Sequence, residues 1–391
     1  MKIRKLKKSE MYDAFLISTY CFHAREDDPE EGFRKRKAEN RDDWGAFNED
    51  GTLMSRIVNH RFLYHLDGQE VRGGGIGAVS TLPEYRDLGA VRATFGKLLP
   101  DAYKSGEVLS TLFPFKHAFY RKVGYEAVTR GNVYHLAPAL LAEYRFSGEV
   151  RKWEPGDPVG EYLDIYNAYS AGFNLALVRD EARMEGHLHV DKPYQDRKFS
   201  YLLRQNGKSV AYVIFTDIRH DPFAILQVEE CAWTCRDGFY AVLGFLARFE
   251  ADYGEITLPL PQGIDLHSLI RTSNAYAIKK DAQLGFMVRV VNAGKLLEAI
   301  DKPADIDFTV RVTDDLIKEN NRVFRVRTDA VTESRAKMAD LELDIRALAQ
   351  MAVGAVNFDE ALLRADVTVH AKEEMLRRVF TVKNIYVGDH Y

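Results

Sequence analysis

A strand-to-helix junction at residues 77–91, GAVSTLPEYRDLGAV, contains residue types that bind anions. Pro83 and Gly89 predict a loop after a strand end, and the helix is expected to begin at the glycine. The first N–H groups of a helix have no backbone partners, and together with the helix dipole they favour an anion. Gly89 permits a close approach of the ligand, and the Arg86 guanidinium adds a charge-assisted contact. Taken alone, this pattern also fits an ordinary strand-to-helix turn.

Other phosphate and metal motifs do not occur in the sequence. The junction lacks the Gly-Lys-Ser/Thr of a nucleotide-binding P-loop. The glycine run GGGIG at 73–77 precedes its strand, whereas a dinucleotide fingerprint follows the strand. Cys231 and Cys235, in CAWTC, are one residue further apart than a CxxC pair, and no second Cys/His pair stands at zinc-finger spacing. We therefore expect no metal at the site.

The elements around the junction alternate short strands with amphipathic helices, which predicts an α/β (α+β) fold. At 391 residues the chain exceeds one ordinary core, so two or three domains are expected. The order of predicted strands and helices divides the chain into an N-terminal stretch (1–140), a central stretch (141–285) and a C-terminal stretch (286–391). The central stretch repeats the strand–helix–hairpin–strand–helix order of the first, which indicates a weak internal repeat.

Composition and charge exclude several classes of protein. The chain is 46% hydrophobic and 29% charged, which is typical of globular proteins, and its net charge of −4 gives no reason to expect nucleic-acid binding. No apolar run approaches the roughly 20 residues of a membrane-spanning helix, and no apolar segment follows the basic start MKIRKLKKSEMYD. Three cysteines are too few for a disulfide framework, so we expect a reducing, cytoplasmic environment.

Two motifs resemble, in order and spacing, the signatures of the Gcn5-related N-acetyltransferase (GNAT) superfamily. Arg-x-x-Gly-x-x at 86–91, after the strand IGAVST and Pro83, resembles motif A, with Val91 where Gly or Ala is usual. FPFKHAFYRKVGYEAV at 113–128 resembles the second signature, a helix bearing Phe-Tyr followed by Gly-Tyr/Phe and a strand. The resemblance implies binding of acetyl-coenzyme A.

The superfamily also implies which residues contact this co-substrate. Its pantetheine arm pairs with backbone groups of the strand, which here are those of Val79, Ser80 and Thr81. An Asp87 carboxylate close to phosphate would repel it, so this side chain is expected to point away. The pyrophosphate lies over the loop and helix start, which here comprise Arg86, Asp87, Leu88, Gly89, Ala90, Val91 and Arg92.

The whole chain resembles one branch of the superfamily, the enhanced intracellular survival proteins. These combine an N-terminal acetyltransferase domain, a central degenerate copy and a C-terminal domain like the sterol carrier proteins, which corresponds to 1–140, 141–285 and 286–391 here. The central stretch has no Arg-x-x-Gly-x-x after its strands, as expected of a copy without cofactor. The family implies a small-molecule amine substrate, as in multiple acetylation of aminoglycosides, and hexameric assembly. Members that acetylate aminoglycosides carry a bulky aromatic just before the cofactor strand, where this chain has Ala78, so a differently shaped pocket is expected.

The resemblance further implies two proton-handling groups. Tyr120 matches the family's general acid, and the unperturbed pKa of a phenol, about 10, is near or above that of a thiol. The α-carboxylate of Tyr391 matches the family's base, although its pKa of roughly 3.5 in water requires burial or a cationic partner. Each residue has a structural alternative, since Tyr120 fits a core tyrosine and Tyr391 a frayed terminus.

The leading hypothesis is an acetyl-CoA-dependent N-acetyltransferase that acts on a primary amine of a small polyamine- or aminoglycoside-like acceptor. One alternative is a protein-lysine acetyltransferase that uses the same junction. The other is a non-catalytic protein whose C-terminal domain binds an apolar ligand and whose acetyltransferase domain is vestigial. The intact motif A and Tyr120 favour an enzyme.

Overall fold

The computed structural model describes residues 1–24, 28–35, 40–128, 131–188, 197–220, 223–271, 274 and 276–391. Its strands, in chain order, are β1 (Lys2–Lys5), β2 (Arg41–Phe47), β3 (Leu53–Leu66), β4 (Gln69–Thr81), β5 (Leu109–Leu112), β6 (Glu126–Val128), β7 (Asn132–Leu136), β8 (Glu149–Lys152), β9 (Lys198–Gln205), β10 (Lys208–His220), β11 (Phe223–Trp233), β12 (Glu255–Leu260), β13 (Ile278–Ala282), β14 (Phe286–Val290), β15 (Asp307–Thr313), β16 (Val323–Arg327), β17 (Val331–Ser334), β18 (Leu341–Asp344) and β19 (Val367–Val369).

Most of the helices have one buried face. They are α1 (Met11–Cys21), α2 (Pro29–Lys35), α3 (Ala90–Lys104), α4 (His117–Arg121), α5 (Gly160–Ser170), α6 (Glu181–Leu188), α7 (Arg236–Ala247), α8 (Leu266–Leu269), α9 (Ala293–Ala299), α10 (Ile345–Val353), α11 (Phe358–Ala361) and α12 (Glu373–Val379).

Two compact units share the chain. The first comprises residues 1–128, 285–383 and 389–391, and the second comprises residues 129–284 and 384–388. The C-terminal tail therefore contributes residues 384–388 to the second unit and its last three residues to the first.

The first unit contains a seven-stranded mixed sheet in the order β1-β2-β3-β4-β5-β14-β6. Helix α1 contacts one face through the buried Arg56, whose guanidinium donates to the Ala14 carbonyl at 3.2 Å. Helix α3 covers the opposite face, where Phe95 and Leu98 pack against Ile76 of β4. Alternation of side chains along β3 and β4 thus separates two apolar layers, one on each side of the sheet.

A five-stranded sheet, in the order β17-β16-β15-β18-β19, completes the first unit. Helix α10 is apolar on its buried side and begins at Asp344, whose carboxylate caps the Arg346 N–H at 2.9 Å. It packs on this sheet and on β14 and β6, and the Gln350 amide donates to the Ala127 carbonyl at 2.7 Å.

The second unit contains another seven-stranded sheet, in the order β13-β7-β12-β11-β10-β9-β8. Helix α7 packs on one face through residues such as Val242 and Leu246. Helices α5 and α6 cover the other face, where Tyr166 and Met184 are fully buried. This is the same arrangement of central strands and flanking helices as in the first unit. The Arg-x-x-Gly-x-x motif of the first unit is not present at the strand-to-helix turn between β11 and α7.

The predicted α/β (α+β) fold class is confirmed. The described residues form two seven-stranded mixed sheets of GNAT-like arrangement and one smaller, five-stranded mixed sheet. Among the described residues, no helix has the length and apolar character needed to cross a membrane.

Candidate active site

Strand β4 loses one of its two neighbours halfway along its length. It pairs with β3 from Gln69 to Thr81, but its parallel ladder with β5 covers only Gly73–Ile76. The following segment, Gly77–Thr81, has no strand partner on that side within the described part of the chain. We refer to this segment as the β4 edge. An unpaired strand edge offers backbone N–H and C=O groups to an extended ligand.

A β-bulge lies at the start of the β4 edge. Arg56 of β3 is opposite Ser80 and Val58 is opposite Gly77, so two steps on β3 correspond to three on β4. Ala78 adopts a positive φ of 48°, which is uncommon for a residue with a side chain. Bulges of this kind leave one residue out of the ladder and redirect backbone groups. Ala78 and Val79 therefore take up the extra length of the edge.

The loop after β4 and the start of α3 contain a series of backbone N–H groups without acceptors. A 3₁₀ turn at Pro83–Tyr85 precedes the loop, and α3 begins after Gly89, whose φ of 77° lies in the left-handed region. The predicted helix start is thus confirmed. None of the N–H groups of residues 87–92 has a hydrogen-bond acceptor among the described residues. Arg86 and Arg92 are exposed beside them, so the helix start presents free donors and two positive charges.

The side chains of Val91 and Val79 point towards the apolar core beneath the loop. Both are partly buried against the apolar cluster that contains Phe95, Ile76 and Tyr120. The Val91 side chain therefore packs towards the core beneath the loop.

Tyr120 lies in the same cluster and is only 3% exposed. Its ring packs edge-on against Phe95 at 6.4 Å and Tyr125 at 6.2 Å. Burial raises the pKa of the Tyr120 phenol above its usual value of 10, so the group is protonated at neutral pH. Its hydroxyl makes no hydrogen bond to the described residues, which leaves the O–H free to donate to a ligand.

The glycine that follows Tyr120 in the second signature has a packing role. Gly124 has a φ of 86°, and a side chain there would collide with the Arg289 guanidinium. Arg289 is fully buried, donates to the Val123 carbonyl at 3.1 Å and pairs with Asp314 at 2.6 Å. This contact fixes the end of α4 and thereby the position of Tyr120.

Tyr391 is docked in an aromatic socket in the first unit. Its ring centroid lies 5.1 Å from that of Phe62 and 5.6 Å from that of Phe113. Its hydroxyl is hydrogen-bonded to the Thr111 hydroxyl, which is in turn 2.7 Å from the Tyr64 hydroxyl. Tyr391 is therefore held at both its ring and its hydroxyl.

The glycine run of β4 provides room for Tyr391. A Cβ atom at Gly75 would lie 2.7 Å from Cε2 of the Tyr391 ring, which is closer than real contacts allow. A Cβ atom at Gly77 would lie 3.3 Å from the carboxyl carbon of Tyr391. Gly75 and Gly77 share one face of β4, and Ile76, which packs in the Tyr120 cluster, points to the other.

The β4 edge thus has a phenol on one face of the sheet and a carboxyl group on the other. Of the residues predicted from sequence, Val79 and Tyr120 lie in one apolar cluster, and Tyr391 lies against Gly77 at the start of the edge. Sequence reasoning missed Thr111 and Phe62, which hold the Tyr391 ring. The signal that could have found the socket is the run GGGIG itself, since glycine inside a strand marks a close approach of other atoms.

Two segments of the chain match models of known protein families. Residues 2–128 match the model of an acetyltransferase (GNAT) domain, and residues 293–388 match that of a sterol carrier protein domain. No curated protein sequence shows significant similarity to the chain.

Solved structures share the complete architecture. A conserved protein of unknown function from Enterococcus faecalis superimposes with a TM-score of 0.85 at 21% identity, with 98% of each chain covered. A GCN5-related N-acetyltransferase from Anabaena variabilis and Eis1 from Mycobacterium abscessus give TM-scores of 0.83 and 0.82 at 21% and 16% identity, with 100% of each chain covered. These levels of identity establish the fold. Together with the two family matches, they show that the chain contains an N-terminal GNAT acetyltransferase domain and a C-terminal sterol carrier protein domain, in a fold similar to that of Eis1.

Proposed function

We propose that this enzyme transfers the acetyl group of acetyl-CoA to a primary amine of a small polyamine- or aminoglycoside-like acceptor. The observation that carries the proposal is the β4 edge, a strand segment that has no strand partner on its β5 side among the described residues, with Tyr120 on one face and the Tyr391 carboxyl on the other. An extended thioester along this edge would pass between a proton donor and a proton acceptor.

The described residues fit acetyl-CoA at both ends of its polar arm. The Ser80 carbonyl accepts from the Ser55 hydroxyl at 2.8 Å, and the Thr81 carbonyl accepts from the Cys21 thiol at 3.4 Å. Val79 is therefore the central position for main-chain pairing with the pantetheine amides. The free N–H groups of residues 87–92, with Arg86 and Arg92, are suited to the pyrophosphate.

Starting from a protonated amine, the chemistry requires two protons to leave the nitrogen and one to reach the departing sulfur. In our proposal the Tyr391 carboxylate attracts the protonated amine and takes its proton, so that the free nitrogen attacks the acetyl carbonyl. The C–S bond then breaks and the thiolate takes the proton of Tyr120. The second proton that the nitrogen loses on becoming an amide neutralises the Tyr120 phenolate. Although burial raises the pKa of Tyr120, the same apolar surroundings also raise the pKa of a thiol, which keeps donor and acceptor matched.

A thiol-release assay with acetyl-CoA and a panel of amines tests this function. We expect turnover with at least one polyamine or aminosugar, and about a hundredfold loss when a single glycine is added after Tyr391, because the carboxyl group moves away from Gly77. Calorimetry should show the same acetyl-CoA affinity in both chains. Absence of binding at high micromolar acetyl-CoA would contradict the proposed function. Unchanged turnover of the extended chain would show that the Tyr391 carboxylate is not the base.

We also propose that the chain forms a homo-oligomer, a hexamer by its resemblance to the enhanced intracellular survival proteins. The support is the shared fold over the full length of the chain. Sedimentation equilibrium decides the question, since a monomer at micromolar concentration would contradict it.

A further inference from the structure

His60, on strand β3, faces the terminal carboxyl group from across the glycine run. His60 is the direct cross-strand partner of Gly75. Its Nε2 atom lies 3.3 Å from the point where a Gly77 Cβ would stand, and the carboxyl carbon and oxygen of Tyr391 lie at the same distance from that point. The imidazole nitrogen and the carboxyl group therefore both border the space that a Gly77 side chain would occupy.

The ring of His60 is held in a defined orientation. It is stacked on Phe62, with 3° between the ring planes and 5.8 Å between centroids, and its centroid lies 6.0 Å from that of Tyr391. Phe62 also packs against Tyr391 at 5.1 Å. The three rings form one aromatic group, and within it His60 is the member that has polar ring atoms.

We propose that His60 is a positioning residue that orients the Tyr391 carboxylate, an inference that rests on the proposed function. A terminal carboxylate turns freely about its Cα–C bond unless a donor holds one oxygen. An imidazole N–H that donates to one oxygen leaves the other directed to the amine. The ammonium proton then passes to that second oxygen, while His60 keeps its own proton throughout.

The test compares His60→Leu, which removes both ring nitrogens, with His60→Gln, whose amide N–H reaches about as far as Nε2. We expect His60→Leu to lower kcat about tenfold with an unchanged KM for acetyl-CoA, and His60→Gln to recover most of the loss. His65→Leu is the matched control, because His65 is buried on the same strand and its Nε2 has no partner among the described residues. We expect the control to keep wild-type turnover.

A double-mutant cycle separates orientation of the carboxylate from general packing. In the chain extended by one glycine, the carboxyl group no longer lies at Gly77, so His60→Leu should cause no further loss of kcat. An equal loss in both backgrounds, or no recovery in His60→Gln, would overturn the inference while leaving the acetyltransferase function intact.

A second readout does not depend on activity. Release of Tyr391 by a carboxypeptidase selective for aromatic ends should be several-fold faster in His60→Leu than in the wild type, His60→Gln or His65→Leu. If the wild-type chain acetylates no amine, the proposed function fails and this digestion alone decides the role of His60. Equal release rates in all four proteins would refute it.

Discussion

The two GNAT-like sheets each receive a tyrosine from the C-terminal tail, and the two tyrosines have different partners. In the first unit, Tyr391 is bonded to the neutral Thr111 hydroxyl, and its carboxyl group lies at Gly77. In the second unit, the Tyr386 hydroxyl donates to the buried carboxylate of Glu230 at 3.2 Å. The Asn174 N–H and C=O hold the backbone around Tyr386, with distances of 2.8 and 3.1 Å.

The central strands of the second unit show the same two features as those of the first, a short parallel ladder and a β-bulge. Strand β11 pairs in parallel with β12 only over Ile225–Gln227, and its register with β10 shifts between Ile214 and Phe215. The space beside the bulge is filled, however. Glu230 is bonded to the Arg179 guanidinium at 2.6 and 2.8 Å and accepts from the Tyr212 hydroxyl at 2.6 Å.

The sequences around the two strands explain why one edge is open and the other filled. The first copy has glycines in β4 and a loop with free N–H groups before α3. In the second copy β11 contains no glycine, and only Thr234 and Cys235 separate Trp233 from α7. The same strand arrangement is therefore compatible with a ligand site or with a structural core, depending on a few residues beside the bulge.

Arg179→Met should have the largest effect on the second unit. Both side chains of the Arg179–Glu230 pair are buried, and removal of one partner leaves an uncompensated charge, at a cost of about 3–5 kcal/mol in the free energy of unfolding. Differential scanning calorimetry measures the effect. Arg325→Met breaks an exposed pair with Asp307 and should cost less than about 1 kcal/mol. Equal shifts in the two variants would show that the filled edge is not a stabilising core.

Tyr120→Phe should have the next largest effect, on turnover in the first unit. Loss of the phenolic O–H is expected to lower kcat about a hundredfold, near 3 kcal/mol in activation free energy, without a change in acetyl-CoA affinity. The short helix α8 follows β12 as α4 follows β5, and its sequence LHSL has no tyrosine. The open and filled copies thus differ at this position too.

Tyr125→Phe is the control for that measurement. Tyr125 belongs to the same cluster, but its hydroxyl is bonded to Ser110 at 2.7 Å. Its loss should reduce stability by about 1 kcal/mol and leave kcat close to wild type. A similar fall in kcat for both variants would mean that Tyr120 acts through packing.

Local signals in the sequence predicted the strand, the loop and the helix start at Gly89, because proline, glycine and apolar periodicity act over a few residues. The partners of these elements depend on contacts between distant segments. Strand β14 pairs with β5 and β6, so that Met287 lies opposite Leu112 and Ala127. The sequence pattern contains nothing that specifies this pairing. For the socket of Tyr391 it contains only the glycine run GGGIG, which indicates a close approach but not the residue that makes it.

The two units each contain a buried glutamate, and the pKa values of the two carboxyl groups are shifted in opposite directions. Burial favours the neutral form of Glu230, but the Arg179 guanidinium and the Tyr212 hydroxyl hold its pKa below the usual value. In the first unit, burial raises the pKa of Glu107 to about 7, and the Asn59 amide is its one hydrogen-bond donor among the described residues, at 3.0 and 3.3 Å. Glu230 therefore stabilises the fold at neutral pH and loses this effect as the pH falls below about 4.

Glu107→Gln should stabilise the first unit at high pH. The raised pKa of Glu107 means that its contribution is complete below pH 4.5 and is lost as the pH rises towards 7. Glutamine avoids this loss, and its NH₂ group can donate to Asn59 Oδ1, which has no partner among the described residues. We expect a gain of about 2–3 kcal/mol at pH 8 and almost none at pH 4.5 by calorimetry. The exposed Glu374→Gln should show no such pH dependence, and a gain independent of pH would contradict the assignment.

The smallest effect is expected for Val91→Ala, which restores the residue usual in motif A. The Val91 side chain packs against the core cluster, and its backbone N–H is already free, so the acetyl-CoA dissociation constant should change by less than about threefold. Stability should fall by about 1 kcal/mol because buried methyl groups are lost. Gly89→Ala provides the contrast, since φ at this position is 77° and an alanine would strain the loop and weaken binding. Calorimetric titration separates the two variants, and tenfold tighter binding by Val91→Ala would show that the valine crowds the pyrophosphate.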